Sequence, residues 1–165
     1  MTVTAIALDD FLVAQFTEKM GRGSPYAKLK LITVVPVLLR DRKQWEALAT
    51  ECDIPAMMIE GNRVGYSPGP FGSGQVAVAQ ELAYTAVAVL RAATDVLASR
   101  QIKEVADRTV QALTQMRVGI NLDGQHPLSA IPAVGDVYFT IYRAQGAEAQ
   151  WFGLGLVDFT VGKRR

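Results

Sequence analysis

The 165-residue chain contains a single cysteine, Cys52, and a single histidine, His126. One thiol cannot form an internal disulfide, and the chain lacks the clustered cysteine and histidine ligands of a typical zinc site. A lone thiol also fits a reducing compartment. These absences exclude an internal disulfide and a cysteine-based zinc domain.

The chain has almost no excess of charge of either sign. Lysine and arginine number 17, aspartate and glutamate 16, and the formal net charge is +1. Proteins that bind nucleic acid or anionic membranes usually carry a clear basic excess. The composition therefore predicts neither partner, and the basic end at Lys163–Arg165 is better explained as a solubilising terminus.

Long apolar runs are also missing. The longest, Leu31–Leu39 and Leu82–Leu90, are interrupted and fall short of the roughly 20 residues that cross a bilayer. Residues 1–10 contain no cation and end in two aspartates, so we expect no secretory signal. Yet half of the residues are hydrophobic, and the mean hydropathy is +0.16. This surplus predicts one domain with a core and additional apolar surface in subunit interfaces.

Hydrophobic spacing predicts an alternation of helices and strands. The expected helices cover residues 5–20, 41–52 and part of 95–116, and the expected strands cover 27–35, 56–60, 75–91, 137–142 and 150–161. Residues 75–91 also fit a helical face, but the β-branched residues of Thr85–Val89 favour a strand. The order predicts an α+β fold: a mainly antiparallel sheet of about four to five strands with two to three helices packed on one face.

Two long irregular segments are predicted, over residues 61–74 and 117–135. Both contain glycine and proline, and loops of this length inside a compact domain are usually functional or disordered. The first carries Tyr66 and Phe71, which suits an aromatic contact on a partner-ordered loop. The pattern fits equally well a Phe71 side chain that folds back onto the core.

The only nucleophile and base of note are Cys52 and His126. Cys52 could act as a nucleophile if His126 were its base, but it falls on the apolar face of its predicted helix, which favours a buried structural thiol. His126 follows Gly-Gln and precedes proline, which favours a solvated loop histidine. The pair predicts no catalytic site.

Carboxylates and glycines suggest no chemistry either. Asp9 and Asp10 are neighbours and point in different directions on a helix, while Asp123 and Asp136 flank turns, where aspartate caps its own backbone. The glycines of Gly69–Gly74 lack the Gly-Lys-Ser/Thr ending of a phosphate loop and the order of a dinucleotide turn. We expect no cofactor and no metal.

The phrase Asp53-Ile54-Pro55-Ala56-Met57-Met58-Ile59 resembles the leucine/isoleucine-proline-alanine-strand phrase of tail terminator proteins of long-tailed bacteriophages. In that family a helix precedes the proline, and a long loop, a long strand, an amphipathic helix and a closing hairpin follow. Residues 76–116 look like the strand-then-helix core, and residues 137–161 look like the hairpin. The chain departs from the family at Tyr26–Thr50, where the predicted strand and helix before the proline are larger than is usual in the family. This departure leaves open the alternative that the chain is another neck or tail component with a related fold.

The resemblance implies a structural virion protein and no enzyme. Such a protein forms a ring, commonly a hexamer, that caps the tail tube, ends its polymerisation and joins the tail to the head connector. The implied partners are further copies of the chain, the tail tube protein and the head–tail connector protein, with the tail sheath as a further one, and no membrane or specific nucleic acid. The implied location is the virion, after synthesis in the host cytoplasm.

The two long segments are the expected contact regions, because rings are built where loops and strand edges meet neighbouring subunits. The candidate contacts are Arg63, Tyr66 and Phe71 in the first segment and His126 and Leu128 in the second. The alternatives are another neck or tail adaptor and a small ligand-binding domain or enzyme.

Overall fold

The computed structural model describes residues 5–21, 31–34, 56–67, 78–120, 128–143 and 150–162. These residues form two helices and seven strands. In chain order they are α1 (Ala5–Met20), β1 (Leu31–Val34), β2 (Ala56–Ser67), β3 (Val78–Ala92), α2 (Asp95–Gln115), β4 (Val118–Ile120), β5 (Leu128–Ala130), β6 (Ala133–Arg143) and β7 (Trp151–Gly162).

Five strands form one sheet in the order β1-β2-β3-β7-β6. β1 runs parallel to β2, whereas the pairs β2–β3, β3–β7 and β7–β6 are antiparallel. The closing hairpin therefore adds to the sheet through β7, which lies beside β3, and leaves β6 at the edge. β4 and β5 pair only with each other among the described strands. The expected α+β fold, with helices packed on an antiparallel sheet, is confirmed.

The main core lies between one face of the sheet and the two helices. Leu8, Leu12 and Phe16 of α1 are fully buried there, as the helical spacing predicts. α2 contributes the predicted stripe around Ile102 and Leu113. The sheet supplies alternate residues of β2, β3 and β7 to the same cluster.

α2 begins after a capping residue, Thr94. It lies close to β7 at two glycines of that strand, Gly153 and Gly155. The Thr94 hydroxyl accepts a hydrogen bond from the Leu97 backbone N–H at 3.2 Å, which satisfies one of the free donors of the first turn. Further along, a Cβ added to Gly153 or Gly155 would lie 3.1 Å from Ile102. The two glycines therefore let the helix approach the strand closely.

A smaller apolar cluster occupies the opposite face of the sheet. The buried side chains of Met58, Val87, Val89, Phe152 and Leu154 form it. They alternate along their strands with residues of the main core, so β2, β3 and β7 are buried on both faces in this region. Burial on both faces explains why these strands read as nearly continuous apolar runs.

The expected loop over residues 61–74 is wrong in its first half. Residues 61–67 continue β2 and pair with β3 through two register shifts, one between Gly61 and Arg63 and one between Gly65 and Tyr66. Glycine inside a strand commonly marks such irregularities, so a composition typical of a loop belongs to an irregular strand. Residues 68–74 lie outside the described residues.

The expected irregular segment over residues 117–135 is also wrong in part. Val118–Ile120 and Leu128–Ala130 form the small two-stranded sheet, and β6 begins at Ala133, before the expected start at Val137. Three-residue strands are too short to produce a visible alternation, which is why the sequence did not predict them. Residues 121–127 lie outside the described residues.

The remaining boundaries differ by a few residues or cannot be compared. The strand expected over 27–35 is described only at Leu31–Val34, and the strand expected over 75–91 is described as Val78–Ala92. The helix expected over 41–52 lies outside the described residues. Arg143, the first residue of the expected turn, still belongs to β6, and residues 144–149 lie outside the described residues.

Candidate interaction surfaces

The predicted contact residues that the structure describes fall on two separate strand pairs. Arg63 and Tyr66 lie on β2, opposite Ala83 and Ala79 of β3. Leu128 lies on β5 opposite Ile120 of β4. Phe71 and His126 lie outside the described residues, as does Cys52. The structure thus brings Arg63 and Tyr66 into one hairpin and leaves Leu128 in the other sheet.

Among the described residues, the end of the β2–β3 hairpin continues past its pairing with the neighbouring strands. The β3–β7 pairing begins at Glu81 and Gly162, so residues 78–80 of β3 pair among the described residues only with β2. Within the same residues β1 pairs with β2 as far as Ile59. At about 3.3 Å per residue, residues 78–80 of β3 span roughly 10 Å. Tyr66 lies in this part, which has two strands among the described residues and which we call the hairpin arm (residues 66–67 and 78–80).

A second surface is the edge of the sheet formed by β6. Its neighbouring residues Tyr138 and Phe139 are 52% and 42% exposed. Because successive side chains of a strand point to opposite faces, one aromatic ring is exposed on each side of this edge. The strand contains no proline and no lysine, and its two charged residues, Asp136 and Arg143, lie toward its ends.

A groove lies beside this edge, between the first turns of α2 and the β6–β7 hairpin. Its volume is about 670 Å³, and its apolar lining comes from Val96, Ile141 and Trp151. Arg100 and Lys103 of α2 line the same groove, and both are exposed. We call this space, together with β6, the edge groove. It combines an apolar floor with two cations.

The sheet also carries a polar connection to α1 that the sequence did not suggest. The Tyr84 hydroxyl donates a hydrogen bond to the Asp9 carboxylate at 3.0 Å, and its ring stacks on Phe159 at 5.5 Å between ring centroids. Burial raises the pKa of Asp9, the bond from Tyr84 opposes that rise, and the charge of Asp10 adds to it. Burial, followed by the charge of Asp9, raises the pKa of Tyr84.

A polar row crosses the opposite face of the sheet. Glu60, Thr85 and Asp158 lie at matching positions of β2, β3 and β7. The Thr85 hydroxyl donates to Asp158 at 2.6 Å, and Glu60 is only 9% exposed. Cross-strand pairing of this kind stabilises a sheet, and we assign the row a structural role.

Among the residues that the structure describes, no group of three or more histidine, cysteine, aspartate or glutamate side chains could hold a metal ion. Within the same residues, neither helix is long and apolar enough to span a membrane.

Comparison of the chain with protein-family models found no match, and comparison with curated proteins found none either. The hairpin arm and the edge groove are therefore interpreted from their own geometry and chemistry.

Proposed function

We propose that this chain is a ring-forming structural protein of a phage tail, which caps the tail tube, ends its polymerisation and joins the tail to the head connector. The observation that supports this proposal most is the hairpin arm. It holds Tyr66 past the point where the described parts of β1 and β7 end, on the segment where the resemblance to tail terminators places subunit contacts.

The physical argument concerns the stability of the arm. An isolated pair of strands is marginally stable in water, because it has too little apolar surface to bury. A pair that extends past its own sheet gains stability when a neighbouring subunit covers it. In a closed ring each subunit supplies the arm to one neighbour and receives the arm of another, which is a head-to-tail contact.

The order of the elements supports the same proposal. The long strand β3, the amphipathic helix α2 and the closing β6–β7 hairpin occur in this order along the chain, as the resemblance implies. The long strand and the hairpin belong to one sheet. Exposed large hydrophobic side chains in the described residues, such as Ile131, fit a protein that contacts others over several surfaces.

The direct test is the assembly state of the purified chain. We expect native mass spectrometry and negative-stain electron microscopy to show a closed ring, and we expect added protein to limit the length of polymerising tail tubes. Tyr66→Ser is expected to weaken the ring by at least tenfold in subunit concentration, because it removes apolar contact area from the arm.

Tyr138→Ser is the matched control, since it removes an exposed tyrosine from a different strand, β6, of the same sheet. It is expected to leave the ring intact. A chain that stays monomeric at high concentration and does not associate with tube protein would contradict the proposal. Rings that bind the head connector but leave tube length unchanged would favour a neck adaptor instead.

A further inference from the structure

We propose that the edge groove binds an extended, acidic segment of another protein, which adds to the sheet as a strand beside β6. This inference concerns a surface other than the hairpin arm and does not depend on the ring. It is built from the backbone of the edge strand, the groove above it and the charges on α2.

β6 has the properties of a strand that can accept another. It lies at the edge of the sheet and pairs only with β7 among the described strands. An edge strand presents unpaired backbone N–H and C=O groups, and proteins usually shield them with lysine, proline or a covering element. The middle of β6, around the exposed Tyr138 and Phe139, has neither of those residues.

The groove determines which side chains a new strand would meet. Arg100 and Lys103 are three positions apart, so they lie on neighbouring turns of the same side of α2. Beneath them, Ile141 and Trp151 form an apolar floor. Asp95 is the only acidic residue of the described lining, and it lies at the start of the helix.

An added strand has side chains on both faces in alternation. On the face toward α2, carboxylates would reach Arg100 and Lys103 while their methylene groups cover the floor. On the other face, apolar side chains would lie beside Tyr138. The fitting partner is therefore a segment that alternates acidic and apolar residues, bound by the general mode of strand addition.

The charges argue against a second copy of this chain as the occupant. Two copies joined through β6 with their helices on the same side would bring the Arg100 and Lys103 pairs toward each other. This arrangement places like charges together, which costs free energy, whereas an acidic segment places opposite charges together.

The test uses the full chain and two short labelled peptides, one alternating glutamate with valine and one alternating lysine with valine. Fluorescence anisotropy is expected to show saturable binding of the glutamate peptide, at least about tenfold tighter than that of the lysine peptide and weakened by salt. In a Trp45→Phe background, Trp151 is the only tryptophan of the chain, so its emission should change on binding.

Charge reversal tests which cations are responsible. Arg100→Glu combined with Lys103→Glu is expected to abolish binding of the glutamate peptide and to favour the lysine peptide. The matched control is Lys19→Glu combined with Arg108→Glu, which changes the net charge equally at a different groove, of about 360 Å³, between α1 and α2. The control is expected to bind as the unaltered chain does, and circular dichroism should show that both variants are folded.

Further outcomes decide whether the peptide binds as an added strand and which molecule occupies the edge groove. Isotope-edited infrared spectra of the bound peptide should show strand structure, and a peptide that binds without it would overturn strand addition. Equal affinity for both peptides, or equal loss in the control variant, would overturn the acidic partner. Self-association of the chain that Arg100→Glu and Lys103→Glu abolish would identify a second copy as the occupant and overturn the proposal.

The same variants separate this inference from the proposed ring. Native mass spectrometry of Arg100→Glu with Lys103→Glu should show the assembly state of the unaltered chain. Tyr66→Ser should bind the glutamate peptide normally. A chain that forms no ring but binds the peptide would contradict only the proposed function, and a ring that binds no peptide would contradict only this inference.

Discussion

At the scale of single residues, the hydrogen bond from Tyr84 to Asp9 joins α1 to the centre of the sheet. The tyrosine ring belongs to the buried cluster, while its hydroxyl reaches a partly buried carboxylate. The arrangement satisfies a polar atom inside the core and fixes the position of the helix on β3.

Tyr84→Phe tests this contribution. Removing the hydroxyl leaves the Asp9 carboxylate without its donor, so we expect the free energy of unfolding to fall by about 1–2 kcal/mol. Urea denaturation at neutral pH measures the change. Tyr138→Phe is the control, because Tyr138 makes the same kind of bond, to Asp136 at 3.2 Å, at an exposed site. A similar fall in the free energy of unfolding in both variants would show that burial does not strengthen the contribution of the Tyr84 hydrogen bond.

The raised pKa of Tyr84 predicts a dependence of stability on alkaline pH. The unfolded chain loses this proton near the ordinary value of 10.0, whereas the folded chain retains it to higher pH. The folded state therefore binds more protons, and its stability falls as the pH rises above that value. Urea denaturation from about pH 9 to pH 11 should show a steeper loss for the unaltered chain than for Tyr84→Phe. If the free energy of unfolding changed equally with pH in the two proteins, the raised pKa of Tyr84 would be contradicted.

At the scale of secondary structure elements, the contact between α2 and β7 depends on two residues without side chains. Gly153 and Gly155 both face Ile102, and the atoms that an added Cβ would meet include helix backbone at Gly153. Because α2 also packs on β3 and β6, it cannot move away from β7 without disturbing those contacts.

Gly155→Ala is expected to destabilise the fold by about 1–3 kcal/mol, because the new methyl group lies 3.1 Å from Ile102 and forces the core to rearrange. Gly135→Ala is the matched control on the edge strand, where the nearest atom is at 3.4 Å. Thermal unfolding followed by circular dichroism gives both values. If Gly155→Ala lowered the stability no more than Gly135→Ala, the core would accommodate the added methyl group without destabilisation.

Predictability from sequence differs between elements for a physical reason. α1 and α2 were predicted closely because their apolar residues recur on one helical face over many turns. The continuation of β2 through Gly61 and Gly65 was missed, since its strand geometry depends on pairing with β3 and not on local preference. Isolated glycines between alternating residues are the feature that could have indicated an irregular strand.

At the scale of the whole molecule, the two candidate surfaces lie toward opposite ends of β3. The hairpin arm involves its first residues, while the edge groove lies near Trp151, which pairs with its last residue, Ala92. A strand of 15 residues is about 50 Å long. Separation on this scale is why changes at one surface are expected to leave the other unaffected.

The apolar surplus of the sequence is divided among three places in the described residues. Most of it fills the two clusters on either face of the sheet. The rest is exposed, chiefly at the start of α2 and along β6, including Val96 at 73% exposure. Of the five predicted contact residues, only Tyr66 is described within a candidate surface, whereas nothing in the sequence indicated Arg100 and Lys103. In the sequence they are ordinary polar residues of an amphipathic helix, and only the fold places them beside the edge strand.

The sequence by itself determined which segments are α1, α2 and β7, because their patterns are local and repeat along the chain, whereas it only favoured a strand over a helix at β3. It also determined the α+β class, through the alternation of those segments. Only the tertiary structure decided that β7 lies between β3 and β6, that Asp9 meets Tyr84, and that two cations of α2 lie beside β6, the last strand of the described sheet. These relations join residues far apart in the chain, so they depend on pairing and packing of the whole molecule, which no local pattern encodes.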